Sequence, residues 1–194
     1  MQSVEANLFK GLVLRASASW YYFHTVEENM RKDYETVPGQ WDRTRSTSAS
    51  YSRQFSQTYN AVLDYTTTFA TSHNLNVMLG SEFYDQYNNG FSASGFGAST
   101  DDFKKLGLTD AGEGKRSIDS SHSRYRILSY FGRLNYDYEG KYLFSGVFRY
   151  DGYSSLLGKN RWGFFPGVSG GWVFTKEDFV KEFTSFPLLW KAEG

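Results

Sequence analysis

The chain has 194 residues, and its 21 Lys plus Arg balance its 21 Asp plus Glu, so no net field argues for a nucleic-acid partner. Cysteine is absent, which excludes disulfides and thiol chemistry. Mean hydropathy is negative, and no run approaches the roughly 18 apolar residues of a membrane-spanning helix. A helical membrane protein is thereby excluded. A β-barrel is not, because its strands alternate lipid-facing and lumen-facing residues and average to polar.

The opening stretch, MQSVEANLFKGLVLRAS, has no basic segment followed by an apolar one, so no signal peptide is expected in this chain. Strict alternation then begins. Leu12, Leu14, Ala16, Ala18, Trp20 and Tyr22 share one parity, Arg15, Ser17 and Ser19 the other, which predicts a strand over 11–26. Residues 27–44 are charged and turn-rich and read as a loop carrying Tyr34 and Trp41. A very long strand is predicted over 45–69, with Tyr51, Phe55, Tyr59, Leu63, Tyr65 and Phe69 opposite a Ser, Thr, Asn and Asp face that includes Asp64. Globular strands average about 5–6 residues, so this length favours a wall that rises beyond a membrane.

After a turn at 70–74 a strand is predicted over 75–87, with Glu82 on its polar face, and then a loop over 88–122 containing Phe91, Phe96 and Phe103. The next strand, 123–138, places Leu128, Tyr130, Leu134, Tyr136 and Tyr138 against Ser129, Arg133, Asn135 and Asp137. Glu139-Gly140 reads as a tight turn into 141–151, where Tyr142, Phe144, Phe148 and Tyr150 oppose Ser145, Arg149 and Asp151. A loop over 152–162 precedes a strand over 163–175, residues 176–186 suggest a helical turn or two, and 187–194 reads as the start of another strand. Long and short connections alternate, as in outer-membrane barrels with short periplasmic turns and longer extracellular loops. The fold expected is therefore all-β, an antiparallel up-and-down meander of six to seven strands.

No catalytic set is apparent. His24, His73 and His122 are far apart in sequence. Asp101, Asp102, Asp110, Glu113 and Asp119 lack the spacing of a calcium loop, so no metal, cofactor or enzymatic role is expected. A charge facing lipid at mid-membrane costs about 2–4 kcal/mol, which assigns Arg149 to the lumen or a rim. The same parity makes Arg15, Asp64, Glu82, Arg133 and Asp137 candidate lumen-facing residues. Tyr34, Trp41, Phe91, Phe96 and Phe103 are candidate extracellular contacts for a ligand or a lid protein.

The run Lys141 to Trp172 resembles the SusC/RagA family of TonB-dependent outer-membrane transporters. The resemblance rests on Lys141-Tyr142-Leu143, Arg149, Asp151, Gly152, Ser154, Ser155, Asn160-Arg161-Trp162-Gly163, Phe165, Pro166, Ser169, Gly171, Trp172 and Phe179. Tyr153, Leu156, Leu157 and Gly167 depart mildly from the family pattern. Upstream, His73-Asn74-Leu75, Gly80-Ser81-Glu82, Ser129 to Tyr136 and Lys10-Gly11-Leu12 carry weaker matches. The resemblance implies part of a barrel of about 22 strands in a bacterial outer membrane, embedded in lipid. It also implies import of oligosaccharide or peptide, energised by the TonB system and lidded by a SusD-like surface lipoprotein. This chain is expected to be a mid-barrel stretch without the plug. The other readings are a small stand-alone barrel or adhesin, and a soluble carbohydrate-binding sandwich.

Overall fold

The structure, a computed structural model, describes residues 1–180. Its strands are β1 (Gln2–Phe9), β2 (Leu12–Arg31), β3 (Tyr34–Val37), β4 (Gln40–Asp42), β5 (Ser46–Phe69), β6 (His73–Phe96), β7 (Arg116–Tyr138), β8 (Tyr142–Tyr153) and β9 (Trp162–Trp172). Seven of them form one sheet in the order β1-β2-β5-β6-β7-β8-β9, and β3 pairs with β4 as a separate hairpin. Consecutive strands are thus neighbours, with the β3–β4 hairpin inserted in one connection. By Cα packing the chain divides into two units, one of residues 1–18, 58–83 and 127 onward, the other of residues 19–57 and 84–126.

Several boundaries differ from those expected. Residues 2–9 form a strand, paired to β2 through Val4–Ala16 and Glu5–Arg15. The loop expected over 27–44 is largely structured, because β2 runs to Arg31 and the β3–β4 hairpin fills the remainder. The loop expected over 88–122 shrinks to 97–115, since β6 continues to Phe96 and β7 begins at Arg116. Residues 88–90 and 116–124 are mostly polar at both parities. A strand solvated on both sides has no alternation to read, and only its backbone ladder reveals it. The last membrane-length strand stops at Trp172 rather than 175, and a short 3-10 turn occupies Phe174–Lys176. The strand expected over 187–194 lies outside the described residues.

In the unit containing β8 and β9 the register is regular. Tyr142 faces Tyr138 and Trp172, Phe148 faces Gly132 and Pro166, and Tyr150 faces Tyr130 and Phe164. Every one of these lies on the apolar face. The other face aligns Ser145 with Asn135 and Ser169, Arg149 with Phe131, and Asp151 with Ser129 and Gly163. β8 and β9 have 12 and 11 residues, which matches the about 9–11 tilted residues that cross a bilayer. β5, β6 and β7 have 24, 24 and 23.

Among the described residues Ala98 is the one buried hydrophobic, while Leu63, Leu79, Leu134, Phe148, Phe164 and Val168 are all exposed. In a soluble sandwich this face would be packed against a second sheet. Here it is presented outward along the membrane-length part of each strand.

Two local devices shape the β7–β8–β9 hairpins. Glu139 and Gly140 both adopt left-handed backbone, φ 55° and 63°, and Lys141 N–H closes the turn onto Tyr138 O at 2.9 Å. This is the two-residue turn whose twist suits a hairpin. Further along, Gly152 is buried beneath the Trp162 indole, and a Cβ there would stand 2.7 Å from the ring. Only glycine lets that ring lie flat on the neighbouring strand, where it also stacks on Tyr150 at 4.7 Å between centroids and 14°.

Replacing Gly152 with Val in the intact protein is expected to destabilise it by about 1–3 kcal/mol, the range for overpacking. Gly146→Ala, whose Cβ would meet nothing nearer than 3.7 Å, should be nearly neutral. Urea-unfolding midpoints of the two variants check this, and equal midpoints would refute it.

Candidate functional site

The polar face of the 1–18, 58–83, 127-onward unit carries a row of side chains across four strands. Asn60 on β5 donates to Glu82 Oε2 at 3.5 Å, and Glu82 Oε1 lies 3.5 Å from Arg149 Nη2. Arg149 Nη2 also donates to Ser129 Oγ at 3.0 Å, and its Nε bridges both oxygens of Asp151 at 2.9 Å. The guanidinium plane stands over the Phe131 ring at 5.7 Å. Ser129 is fully buried beneath this arrangement, while Arg149 is about half exposed (45%).

The acid closest to Arg149 is Asp151 on its own strand, because residues i and i+2 of a strand share a face. The cross-strand anchors are Ser129 and, more loosely, Glu82. The guanidinium therefore spans β6, β7 and β8 with one partner on each, which fixes their mutual register through charge-assisted bonds.

The other candidate lumen-facing residues lie on this same polar face. Arg15 pairs with Glu5 at 2.9 Å, directly opposite in the ladder, with both side chains more than half exposed. Asp64 Oδ1 accepts from Asn76 Nδ2 at 3.0 Å. Asp137 Oδ1 accepts from Asn74 Nδ2 at 2.7 Å and from Gly140 N–H at 3.2 Å, so it serves the turn as well as the face. Arg133 is exposed opposite Val147. A depression of about 510 Å³ lies at this end, lined by Thr68, Asn74, Asn76, Asn135, Ser145 and Ser169 among others.

The motif residues divide between structure and loop. Asn160 and Arg161 belong to a 3-10 turn, with Arg161 Nε donating to Leu156 O at 3.3 Å. Trp162 opens β9, and Gly163 opposes Asp151. Pro166 sits opposite Phe148 on the apolar face, and Gly171 opposes Leu143. Trp172 Nε1 and the Tyr142 hydroxyl both donate to Glu177 Oε1, at 3.0 and 2.6 Å, and Lys141 Nζ stands 3.5 Å from Glu177 Oε2. The Tyr142 hydroxyl bond, followed by that from Trp172, holds the Glu177 carboxyl below its ordinary value. Sequence reasoning did not single out Glu177, since a lone acid in a helical-looking stretch gives no signal.

In the 19–57, 84–126 unit the candidate extracellular aromatics do not converge on one site. Tyr34 is on β3 with the Arg31 guanidinium 4.7 Å above its ring, and Trp41 is exposed on β4. Phe91 and Phe96 are strand residues, not loop residues as expected, and Phe91 meets Tyr51 at 5.7 Å. Phe103 alone is in the loop, with Lys105 Nζ 5.9 Å from its ring. What orders these connections is Arg45. Its Nη2 binds Asp33 at 2.8 Å, its Nε binds Asp101 at 2.9 Å, and its carbonyl accepts from Gly97 N–H at 2.8 Å. Nothing in the sequence distinguishes Arg45 from its basic neighbours.

A single-layer antiparallel meander, apolar on one side for a membrane's depth and polar with cross-strand ion pairs on the other, is the wall of a large transmembrane β-barrel. Comparisons with known proteins narrow this class. No family model matches the chain. The TonB-dependent receptor SusC of Bacteroides thetaiotaomicron is 31% identical over 130 residues, 66% of this chain and 12% of that protein. TonB-dependent receptor P26 of Formosa agariphila is 28% identical over 127 residues, 66% of the chain and 13% of that protein. Receptor P39 of the same organism is 41% identical over 66 residues. In fold, the chain superposes on a chain of the RagAB peptide transporter with a TM-score of 0.81 at 21% identity, covering 91% of this chain and 19% of that one. The seven-stranded sheet is thus similar to a stretch of the β-barrel of SusC/RagA-type TonB-dependent receptors, and the chain spans about an eighth of the length of the curated relatives it matches.

Two outcomes are expected in a receptor containing this chain. Arg149→Gln should destabilise the barrel by about 1–3 kcal/mol, because it strips charged hydrogen bonds from three strands. Arg15→Gln should shift it by less than about 1 kcal/mol, as for an exposed pair. Denaturant midpoints rank them. Separately, Glu177 has a depressed folded value, so its stabilising contacts are intact above 4.5, its ordinary value, and are lost as pH falls through the lower folded value. Tryptophan emission should therefore change on acidification below that point, and Glu177→Gln should remove the transition.

Proposed function

We propose that this chain forms part of the wall of an outer-membrane importer of oligosaccharides or peptides, powered through the TonB system and covered by a SusD-like surface lipoprotein. Its apolar face contacts outer-membrane lipid, and its polar face lines the lumen and supports a plug. The observation that carries this reading is the two-faced sheet itself. On β8 the same strand presents Phe144, Phe148 and Tyr150 to one side and Ser145, Arg149 and Asp151 to the other, over the length of a bilayer crossing. The sequence similarity to SusC and the fold similarity to RagAB support the cargo class and the partners by analogy.

The chain's role in this reading is positioning, not catalysis. The Arg149 row holds three strands in register facing the lumen, and the depression bordered by Asn74, Asn76 and Asn135 offers amide and hydroxyl groups to a plug or passing cargo. The Arg45 node holds the connections at 32–33 and 97–101 together, which gives a lid protein an ordered rather than fluctuating surface.

The orientation is tested in the full receptor by single cysteines. Leu63→Cys, Leu134→Cys and Phe148→Cys are expected to react with a lipid-phase maleimide in reconstituted vesicles. Asp64→Cys, Arg133→Cys and Arg149→Cys should resist it and react with a small water-soluble one. The opposite pattern would invert the wall, and reaction of both sets with both reagents would remove it.

A further inference from the structure

The outward parity changes chemistry abruptly along three adjacent strands. On β5 it passes from Tyr59 to Gln57, Phe55 and Arg53. On β6 it passes from Phe83 to Asp85, Tyr87 and Asn89, and on β7, read upstream, from Leu128 to Arg126 and Arg124. Side-chain contacts within the 19–57, 84–126 unit join these polar residues on one surface. Arg124 donates to both Asp85 oxygens, Nε at 2.8 Å and Nη2 at 2.5 Å, and Arg126 Nε lies 3.5 Å from the same carboxylate. Gln57 Nε2 donates to Asp85 at 3.3 Å, while Arg53 binds Asn89 at 2.9 Å and stands 6.0 Å from the centroid of the Tyr87 ring.

This surface holds three guanidiniums and one carboxylate, with Arg124 and Arg126 gathered on Asp85 and Arg53 held by Asn89. The carboxylate is buried at 5% side-chain exposure, while Arg124 and Arg126 are each 49% exposed. Asp85 thus acts as an anchor from beneath, and the net positive charge is presented outward. Tyr87 beside Arg53, and Tyr51 against Phe91 farther along the same face, supply aromatic rings. On β6 and β7 the cluster begins two residues beyond the outward Phe83 and Leu128, and Tyr87 and Phe91 follow on the same parity of β6. Exposed arginines among amphipathic rings match an anion held at a membrane surface, and guanidinium forks match phosphate oxygens. A lumenal cargo would be met by the opposite face.

We propose that Arg124 and Arg126, organised on Asp85, together with Arg53, held by Asn89, form a clamp on the outer wall of the barrel for the phosphate of an anionic membrane lipid. The proposal rests on the wall reading above. The test uses the full receptor in phosphatidylcholine vesicles, with spin-labelled phosphatidic acid or phosphatidylcholine reporting motionally restricted lipid. Phosphatidic acid should be preferred several-fold, and the preference should disappear in the Arg53→Gln, Arg124→Gln, Arg126→Gln triple variant while total restricted phosphatidylcholine stays constant. Asp85→Asn separates a built clamp from diffuse attraction, because it raises the net positive charge yet removes the anchor. A clamp predicts a weaker preference, and an unchanged or stronger one would overturn it. Equal association of the two lipids, or a preference that survives the triple substitution, would also overturn it. So would displacement by inorganic phosphate at constant ionic strength, which marks a soluble-anion site, or retention of preference only with a bound copurifying protein. Absence of any restricted phosphatidylcholine would instead sink the wall reading. Heat-modified electrophoretic migration shows that each variant is folded.

Discussion

Hydrocarbon leaves a polypeptide backbone no hydrogen-bond partner except itself, and this requirement governs the sheet described here. Each strand within the membrane must exchange its N–H and C=O groups with a neighbour on both sides. The ladder that satisfies this also forces side chains to alternate, so every strand must serve two solvents at once. The apolar parity of β8 and β9 meets lipid. The polar parity of β6, β7 and β8 can then carry Glu82, the buried Ser129, Arg149 and Asp151 without exposing any of them to hydrocarbon. An open edge in lipid would violate the same requirement, so β1 and β9 cannot stand unpaired there.

Within that constraint the wall is held by two kinds of pairing. On the apolar face, large rings are accommodated by small partners on the adjacent strand, as where Trp162 covers Gly152 and Phe148 stands opposite Gly132. The ring gains contact area without spreading the strands. On the polar face, Asn60, Glu82, Ser129, Arg149 and Asp151 form a transverse row that resists a register slip, since a slip of one residue would carry Arg149 into lipid. The two faces therefore specify the same register independently.

Beyond the membrane-length segment the strands of the middle of the sheet continue, and there water replaces lipid as the selecting environment. Order in those parts rests on charge, with Asp85 gathering Arg124 and Arg126, and Arg45 gathering Asp33 and Asp101. These nodes give the long connections defined surfaces. The clamp at Asp85 adds that the outer wall has its own chemistry, directed at the membrane rather than at cargo.

The family resemblance came separately, from the motif residues of the Lys141 to Trp172 run, while the period-two pattern by itself determined the all-β meander and the apolar and polar parities of the membrane-length strands. It did so because one-sided contact with hydrocarbon writes itself directly into residue order. It left β1 unassigned, although Val4, Ala6 and Leu8 alternate there with Ser3, Glu5 and Asn7, and it missed the continuation of β6 to Phe96 and of β7 back to Arg116. Both faces of those continuations are wet, so no alternation survives to be read. Which ion pairs form was equally hidden. Arg149 with Asp151 and Ser129, Glu177 with Tyr142 and Trp172, and Arg45 with residues 12 and 56 positions away all depend on strand register and loop return. Those are decided only when the backbone ladder brings distant segments to within hydrogen-bond distance.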